Sequence, residues 1–265
     1  MYSRLHLAGK YLWHLISASN GRGHGIHSPF VYDFVRIILS DDRNYYAFAP
    51  IEELRTELSK SRETIEHTDY GAGSAVSDKK LKTLGEIVRQ SSKPAKLCKL
   101  LFRIVDHYQP KMILELGTSA GLSTCYLAAA RPASQVITIE GSPIIAKIAS
   151  KNFERLGLRN IHVIAGTFDR VLPDILNRHP NLDLAFIDGN HRKAPTLSYF
   201  DLIVKHASNP SIMIFDDIHW SKEMEDAWHA IREDERAMLT IDLFFLGIVF
   251  LNADFKVKQH FSIRF

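Results

Sequence analysis

Cysteine is scarce in this chain: of 265 residues only Cys98 and Cys125 carry a thiol. Two cysteines build no disulfide framework, so a reducing compartment, the cytoplasm, is expected, with both residues read as small core side chains inside predicted helices. Long apolar runs are also missing. The longest, Leu243 to Leu251, is too short to span a bilayer as a helix and contains a glycine. The first residues, MYSRLHLAGK, lack the apolar run of a secretory signal. Charge of one sign is not in excess either. The net charge of +3 comes from interspersed bases and acids, which by itself does not indicate nucleic acid. Tandem repeats and low-complexity tracts are absent.

What is present is ordinary globular material, 46% apolar and 24% charged, enough for one large domain or a domain with an appendage. The centre of the chain is Lys111 to Arg131, KMILELGTSAGLSTCYLAAAR. Met112–Leu116 has the length of a buried strand and carries an acid, Glu115. A glycine turn follows from Gly117 to Gly121, through Thr118 and Ser119. Leu122 to Arg131 then reads as a helix, with Ser123 near its start. Strand, glycine turn and helix together bring a nucleotide-like ligand to a helix N-terminus.

From Lys93 onward, strands and helices alternate. The expected strands are Met112–Leu116, Gln135–Glu140, Ile161–Ala165, a run ending at Asp188 and a run ending near Asp216. A terminal antiparallel pair, MLTIDLFF and LGIVFLN, follows, and then a last strand-like piece, KQHFSIRF. The fold class is α/β: a doubly wound, mostly parallel seven-stranded sheet of Rossmann-like type over residues 93–265. Residues 1–92 show only helices and loops and read as an α-helical N-terminal extension. In its first helix Leu5, Leu12, Leu15 and Ile16 can share a face. The extension is expected to cover the site or to form a homodimer contact. His24 and His27 are spaced like metal ligands, but no second pair accompanies them, so two loop histidines is the preferred reading.

Ligands of open α/β sheets bind beyond the carboxyl ends of the strands. Glu115, Glu140, Asp188 and Asp216 all stand there. Four acids at one edge are costly to gather unless they meet hydroxyls, amines or a cation. Glu140, with Gly141 after it, ends the second strand about 25 residues after the glycine turn and can accept both hydroxyls of a ribose, the role described for dinucleotide folds. The nicotinamide fingerprint G-x-G-x-x-G fails, because Ser119 and Leu122 stand where glycines are needed. An acid just before the turn also disfavours a pyrophosphate. It suits a cationic, phosphate-free nucleoside such as S-adenosylmethionine.

The stretch ELGTSAGLST resembles the first motif of class I S-adenosylmethionine-dependent methyltransferases, and its E-L-G-x-x-x-G-x-S form is similar to catechol and caffeoyl-CoA O-methyltransferases. The resemblance runs from about Lys93 to Asn252. It implies O-methylation of a small molecule. Glu115 and Gly117 would lie beside the methionine moiety, Glu140 at the ribose, and Gly166, Thr167 and Phe168 near the adenine, with Asp188 also at the cofactor. It further implies a divalent cation such as Mg²⁺ on Asp188, Asp216 and Asp217. This sequence departs from that pattern twice. Asp217 stands where asparagine is usual, and His191 where a lysine often acts. His191 can serve as general base, and so can His219, in a metal-free enzyme; bound metal and free base stay open alternatives. His219 and Trp220 would face the substrate. Rival readings are a nucleic-acid or protein methyltransferase, a nicotinamide oxidoreductase, and a non-catalytic module of the same fold. A small-molecule acceptor is favoured, and neither a membrane nor nucleic acid is expected as partner.

Overall fold

A computed structural model of the chain describes residues 1–19, 26–67 and 80–265. In chain order the elements are α1 (Arg4–Ser17), α2 (Pro29–Asp33) running into a π-helical stretch Phe34–Leu39, α3 (Phe48–Lys60), β1 (Thr64–His67), β2 (Lys80–Thr83), α4 (Leu84–Ser91), α5 (Ala95–Tyr108), β3 (Met112–Leu116), α6 (Leu122–Ala130), β4 (Gln135–Glu140), α7 (Pro143–Arg155), β5 (Ile161–Ala165), α8 (Phe168–Arg178), β6 (Leu182–Ile187), α9 (Lys193–Val204), β7 (Ala207–Asp216), α10 (Lys222–Glu233), β8 (Leu239–Asp242), β9 (Leu246–Leu251) and β10 (Gln259–Ser262). Strands alternate with helices from residue 112 to 233, as the sequence pattern predicts. The chain divides into two compact units, Asp42–Ile175 and Met1–Asp41 with Leu176–Phe265.

In the unit of residues 42–175, β3 pairs parallel with β4, and β4 with β5. Ile113, Leu114 and Leu116 are all buried, the unbroken apolar run of a strand covered on both faces. Helix α6 is buried all round. Phe48, Leu54, Phe102, Tyr126 and Phe153 share one core with it. Cys98 and Cys125 are buried and form no disulfide.

In the other unit, β6 pairs parallel with β7, β7 antiparallel with β9, β9 antiparallel with β8, and β8 parallel with β10. The two units thus hold eight strands of this kind among the described residues, one more than the seven expected. Gln259–Ser262 supplies the extra one. Gly247, the glycine inside the apolar run 243–251, lies under the Trp228 ring; an added Cβ would come within 2.7 Å of it. Among the described residues, no helix is long and apolar enough to cross a membrane.

Residues 1–92 differ from the expected all-helical extension. Residues 1–41 belong to one unit and 42–92 to the other. Strands β1 and β2 form an antiparallel pair, Thr64 opposite Thr83. Four-residue strands with one buried apolar side chain, Ile65, are too short to display a period of two. Helix α4 starts at Leu84. Its start is marked by a capping box, in which Thr83 Oγ1 accepts the Glu86 N–H and Glu86 Oε2 accepts the Thr83 N–H. Asp78, the glycine-serine stretch 70–77 and His24 lie outside the described residues; His27 is exposed. Tyr2, before helix α1, and Lys10 and His14 on it turn toward their own unit. The leucine stripe of α1 faces outward instead, with Leu5 88% and Trp13 69% exposed, beside exposed Leu12 and Ile16.

Helix α6 begins at Gly121, whose φ is +85° and whose missing Cβ leaves room for the Phe153 ring of α7. Gly121→Ala is expected to destabilise the protein by about 2–4 kcal/mol, from backbone strain plus overpacking. Urea denaturation measures it, and a loss under about 0.5 kcal/mol, the range of ordinary surface substitutions, would contradict this packing.

Candidate active site

The glycine turn is held from below by β4. The N–H groups of Gly117 and Thr118 both donate to the Ile139 carbonyl, at 3.0 and 3.2 Å. Gly117 has φ +106°, which a side chain would strain. Ser119 follows with φ +48° and donates its N–H to Glu140 Oε2 at 2.8 Å. The Ser142 N–H donates to Glu140 Oε1 at 2.9 Å, across the bend at Gly141. Glu140, half-buried at the end of β4, is thereby fixed by one backbone amide on each oxygen. Its own carbonyl accepts the Gly166 N–H at 2.9 Å, tying the end of β5 to the same place. Thr167 then opens α8, its carbonyl accepting from Arg170 and Val171, and Phe168 is the first helical residue. Gly117, Thr118, Ser119, Gly121, Glu140, Gly141, Gly166, Thr167 and Phe168 thus fall on one tied set of strand ends and loops within residues 42–175. Ser119 Oγ also meets Ser91 Oγ of α4 at 2.6 Å, so residues before 93 reach this turn.

Glu115 does not behave as expected. Its carboxylate is fully buried and accepts from Ser123 Oγ at 2.7 Å, from Thr124 Oγ1, and from Thr138 Oγ1 at 2.7 Å. Thr138 stands opposite Glu115 in the β3–β4 register, which brings their side chains to one face. Because Thr138 gives its proton to Glu115, the 2.6 Å contact between the Thr118 and Thr138 hydroxyls has Thr118 as donor. Glu115 and Ser123 are therefore braces of the turn rather than groups presented to a ligand. A buried carboxylate needs such donors, and three hydroxyls supply them. Thr124 and Thr138 were missed in the sequence. The signal was a threonine inside the apolar strand VITIE, level with an acid on its neighbour.

The remaining candidates lie in the other unit. Asp188 follows β6 and Asp216 ends β7, and the pairing of Ile187 with Phe215 puts them level on neighbouring strands. Between β6 and α9 the chain turns through Asn190 at φ +60°, its amide donating to the Tyr199 hydroxyl at 3.1 Å. That turn brings His191 Nε2 to 3.6 Å from Asp188 Oδ1. Asp188, His191 and Asp216 each offer one ligand atom within 4.8 Å of the others, and Asp216 is buried. One imidazole and two carboxylates are donors that fit a divalent cation. Asp217 is not in this group. It sits past the strand end at φ +54°, with its N–H on the Phe245 carbonyl.

His219 is not the free base considered from the sequence. Its Nδ1 lies 3.1 Å from Glu225 Oε1 and its Nε2 2.9 Å from Asp242 Oδ2. With a carboxylate on each nitrogen, both must donate, which is the imidazolium form and has no lone pair to take a proton. Burial pulls the His219 pKa down, but the hydrogen bonds and charges of Asp242 and Glu225 outweigh it, and the net shift is upward. Burial likewise raises Asp242 and Glu225, and pairing with His219 (for Glu225 also Lys10 and Tyr2) carries both below their usual range. Asp242 also accepts from Trp228 Nε1 at 3.2 Å and the Phe244 N–H at 2.8 Å, and the Phe244 ring stacks on His219. A lone acid inside the apolar run MLTIDLFF was the sequence signal for Asp242. Trp220, half-buried, donates its N–H to the Asp217 carbonyl.

Residues 114–218 match a family model described as a methyltransferase domain. A catechol O-methyltransferase of Niastella koreensis is 32% identical over 123 residues, covering 45% of this chain and 55% of that protein. A catechol O-methyltransferase of Mycobacterium tuberculosis is 30% identical over 122 residues, covering 45% and 54%. The chain thus aligns with about half the length of the curated relatives it matches. Among solved structures, an O-methyltransferase from Bacillus cereus in complex with SAH superposes with a TM-score of 0.55 at 20% identity, covering 81% of this chain and 95% of that one. That likeness concerns the fold.

The His219 pairing makes a pH prediction with a definite sign. The raised histidine contributes stability that is complete below about pH 6.5 and is lost as pH rises through its folded pKa. The depressed carboxylates contribute stability present above about pH 4 and lost as pH falls through their folded values. His219→Ala should cost about 2–4 kcal/mol near pH 6, because it leaves Asp242 buried without its cation, and should flatten the alkaline decline. Denaturation of both proteins between pH 5 and 9 checks this; parallel curves would contradict it.

Proposed function

We propose that the protein is an S-adenosylmethionine-dependent methyltransferase acting on an oxygen of a small molecule. The observation that carries this is the Glu140 carboxylate, fixed by the amides of Ser119 and Ser142 at the end of β4, beside a glycine turn that leads into a helix. A carboxylate oxygen accepts more than one hydrogen bond, so the two amides set its orientation and a ribose diol adds to it. An acid at this strand end pairs with a ribose, and Ser119 and Leu122, standing where a dinucleotide fingerprint needs glycines, speak against a pyrophosphate-bearing cofactor. Gly117 to Gly121 would receive the methionine part, and Gly166, Thr167 and Phe168 the adenine. The catechol O-methyltransferase relatives support the oxygen acceptor.

The reaction is an in-line displacement. The acceptor oxygen forms its bond to the methyl carbon as the carbon–sulfur bond breaks, and that electron pair stays on sulfur as a neutral thioether. The acceptor must lose its proton. The Asp188–His191–Asp216 group supplies the means, with His191 as base beside Asp188 or with a divalent cation on the same donors. Positioning of donor and acceptor supplies the rest of the acceleration. The buried thiols fit a reducing cytoplasm. The outward stripe of Leu5, Leu12, Trp13 and Ile16 is assigned to a homodimer contact, as contiguous exposed apolar surface is where proteins associate.

Two measurements test these assignments. Calorimetric titration with S-adenosylhomocysteine should show binding, with NAD giving none, and Glu140→Ala should weaken it by about 10- to 100-fold, the 1–3 kcal/mol of ribose hydrogen bonds lost. Binding of NAD, or unchanged affinity in Glu140→Ala, would contradict the reading. Light scattering should give a dimer mass that Trp13→Glu halves; a monomeric wild type would remove the dimer assignment.

A further inference from the structure

We infer that His191 is a metal ligand rather than a proton acceptor, and that the Asp188–His191–Asp216 group takes a divalent transition cation in preference to Mg²⁺. The inference rests on the methyltransferase reading for its purpose, though not for its test. Three stretches of backbone converge to make the site. The parallel register of β6 and β7 sets Asp188 level with Asp216. The turn at Asn190, fastened to Tyr199, brings His191 back over Asp188. The donors therefore stand on strand ends and one fastened turn, which holds them in place before a cation arrives.

The spacing favours ligation over a hydrogen bond. His191 Nε2 and Asp188 Oδ1 are 3.6 Å apart, beyond a good N–H···O hydrogen bond. Two ligands with bonds of about 2.0–2.2 Å to a common ion lie roughly 3.0–3.5 Å apart at square to tetrahedral angles. All three ligand atoms lie within 4.8 Å of one another. Two carboxylates brought this near, one of them buried at 1% exposure, repel each other, and a cation offsets that cost.

The donor atoms then choose the ion. The three that converge are two carboxylate oxygens and one imidazole nitrogen. Imidazole suits Zn²⁺, Co²⁺, Ni²⁺ and Fe²⁺, whereas Mg²⁺ prefers an oxygen octahedron and keeps its waters. The oxygen donor that would complete a Mg²⁺ set, Asp217, is outside the group and on a left-handed backbone. Three protein donors also leave positions open for an acceptor oxygen.

The test uses the full chain, stripped with chelator and titrated with Co²⁺, Zn²⁺ or Mg²⁺ alone, followed by calorimetry and, for Co²⁺, by its visible absorption. One site is expected, with Co²⁺ and Zn²⁺ bound at least about 100-fold more tightly than Mg²⁺. His191→Ala should lose about tenfold or more for Co²⁺ and change its absorption band, while Mg²⁺ affinity hardly moves. His191→Asp should narrow the gap between Co²⁺ and Mg²⁺. Circular dichroism and S-adenosylhomocysteine binding establish that each variant is folded. Mg²⁺ binding as tightly as Co²⁺, no cation bound, or a Co²⁺ affinity and spectrum unchanged in His191→Ala would each overturn the inference. S-adenosylhomocysteine bound by a protein that takes no cation would sink the metal proposal alone; failure to bind the nucleoside would sink the cofactor reading instead.

Discussion

Three hydroxyls converge on the Glu115 carboxylate: one from β4 and two from the first turn of α6. The strand, its neighbour and the helix that follows the glycine turn are fastened through that one side chain. Without it, three buried hydroxyls would need new partners, at about 1–3 kcal/mol for each left unsatisfied. The turn between them has little freedom left. Its amides hang on the Ile139 carbonyl, Gly121 packs under Phe153, and the Asn152 amide holds the Ala120 carbonyl. A second carboxylate, Glu140, is then set by the turn itself through Ser119. One acid is consumed in building the turn so that the other can be presented at a fixed angle. That division of labour leaves Glu140 displayed at the strand ends of residues 42–175, where we propose that the nucleoside binds.

In the other unit the corresponding constraint is the imidazolium of His219, held between Glu225 and Asp242. Glu225 also receives Tyr2 and Lys10 of the N-terminal segment, and Asp242 receives Trp228 and the backbone of the turn between β8 and β9. The loop that leaves β7 at Asp216 is thus anchored three residues downstream by an ion pair that spans α1, α10 and β8. Such an anchor is costly to break and fixes geometry. It also commits both nitrogens of His219 to pairing within the fold.

Much of this was legible in the sequence. Apolar runs of five and six residues gave β3, β4 and β5 with the boundaries seen in the structure, because strands buried on both faces advertise themselves by composition. The glycine turn located the start of α6. Glu140 was placed by its position at a strand end. Less visible was the work done by polar side chains inside apolar stretches. Thr138 and Asp242 interrupt such runs, and the purpose of each appears only once its partner is known. Glu115 and Glu140 look alike in sequence, both acids at strand ends, and differ only in whether hydroxyls surround them. His191 and His219 likewise differ by their neighbours, one near a single carboxylate and the other between two. The short pair β1–β2 carried too few residues to show a period.

The central claim is that the turn 117–121 and the end of β4 receive the nucleoside of S-adenosylmethionine. Hydrogen–deuterium exchange of the protein with and without S-adenosylhomocysteine tests it most directly. Slowed exchange concentrated in residues 117–121 and 140–142, with a weaker effect at 166–168, is the result this account predicts. No change there, or protection confined to residues 1–41, would contradict it.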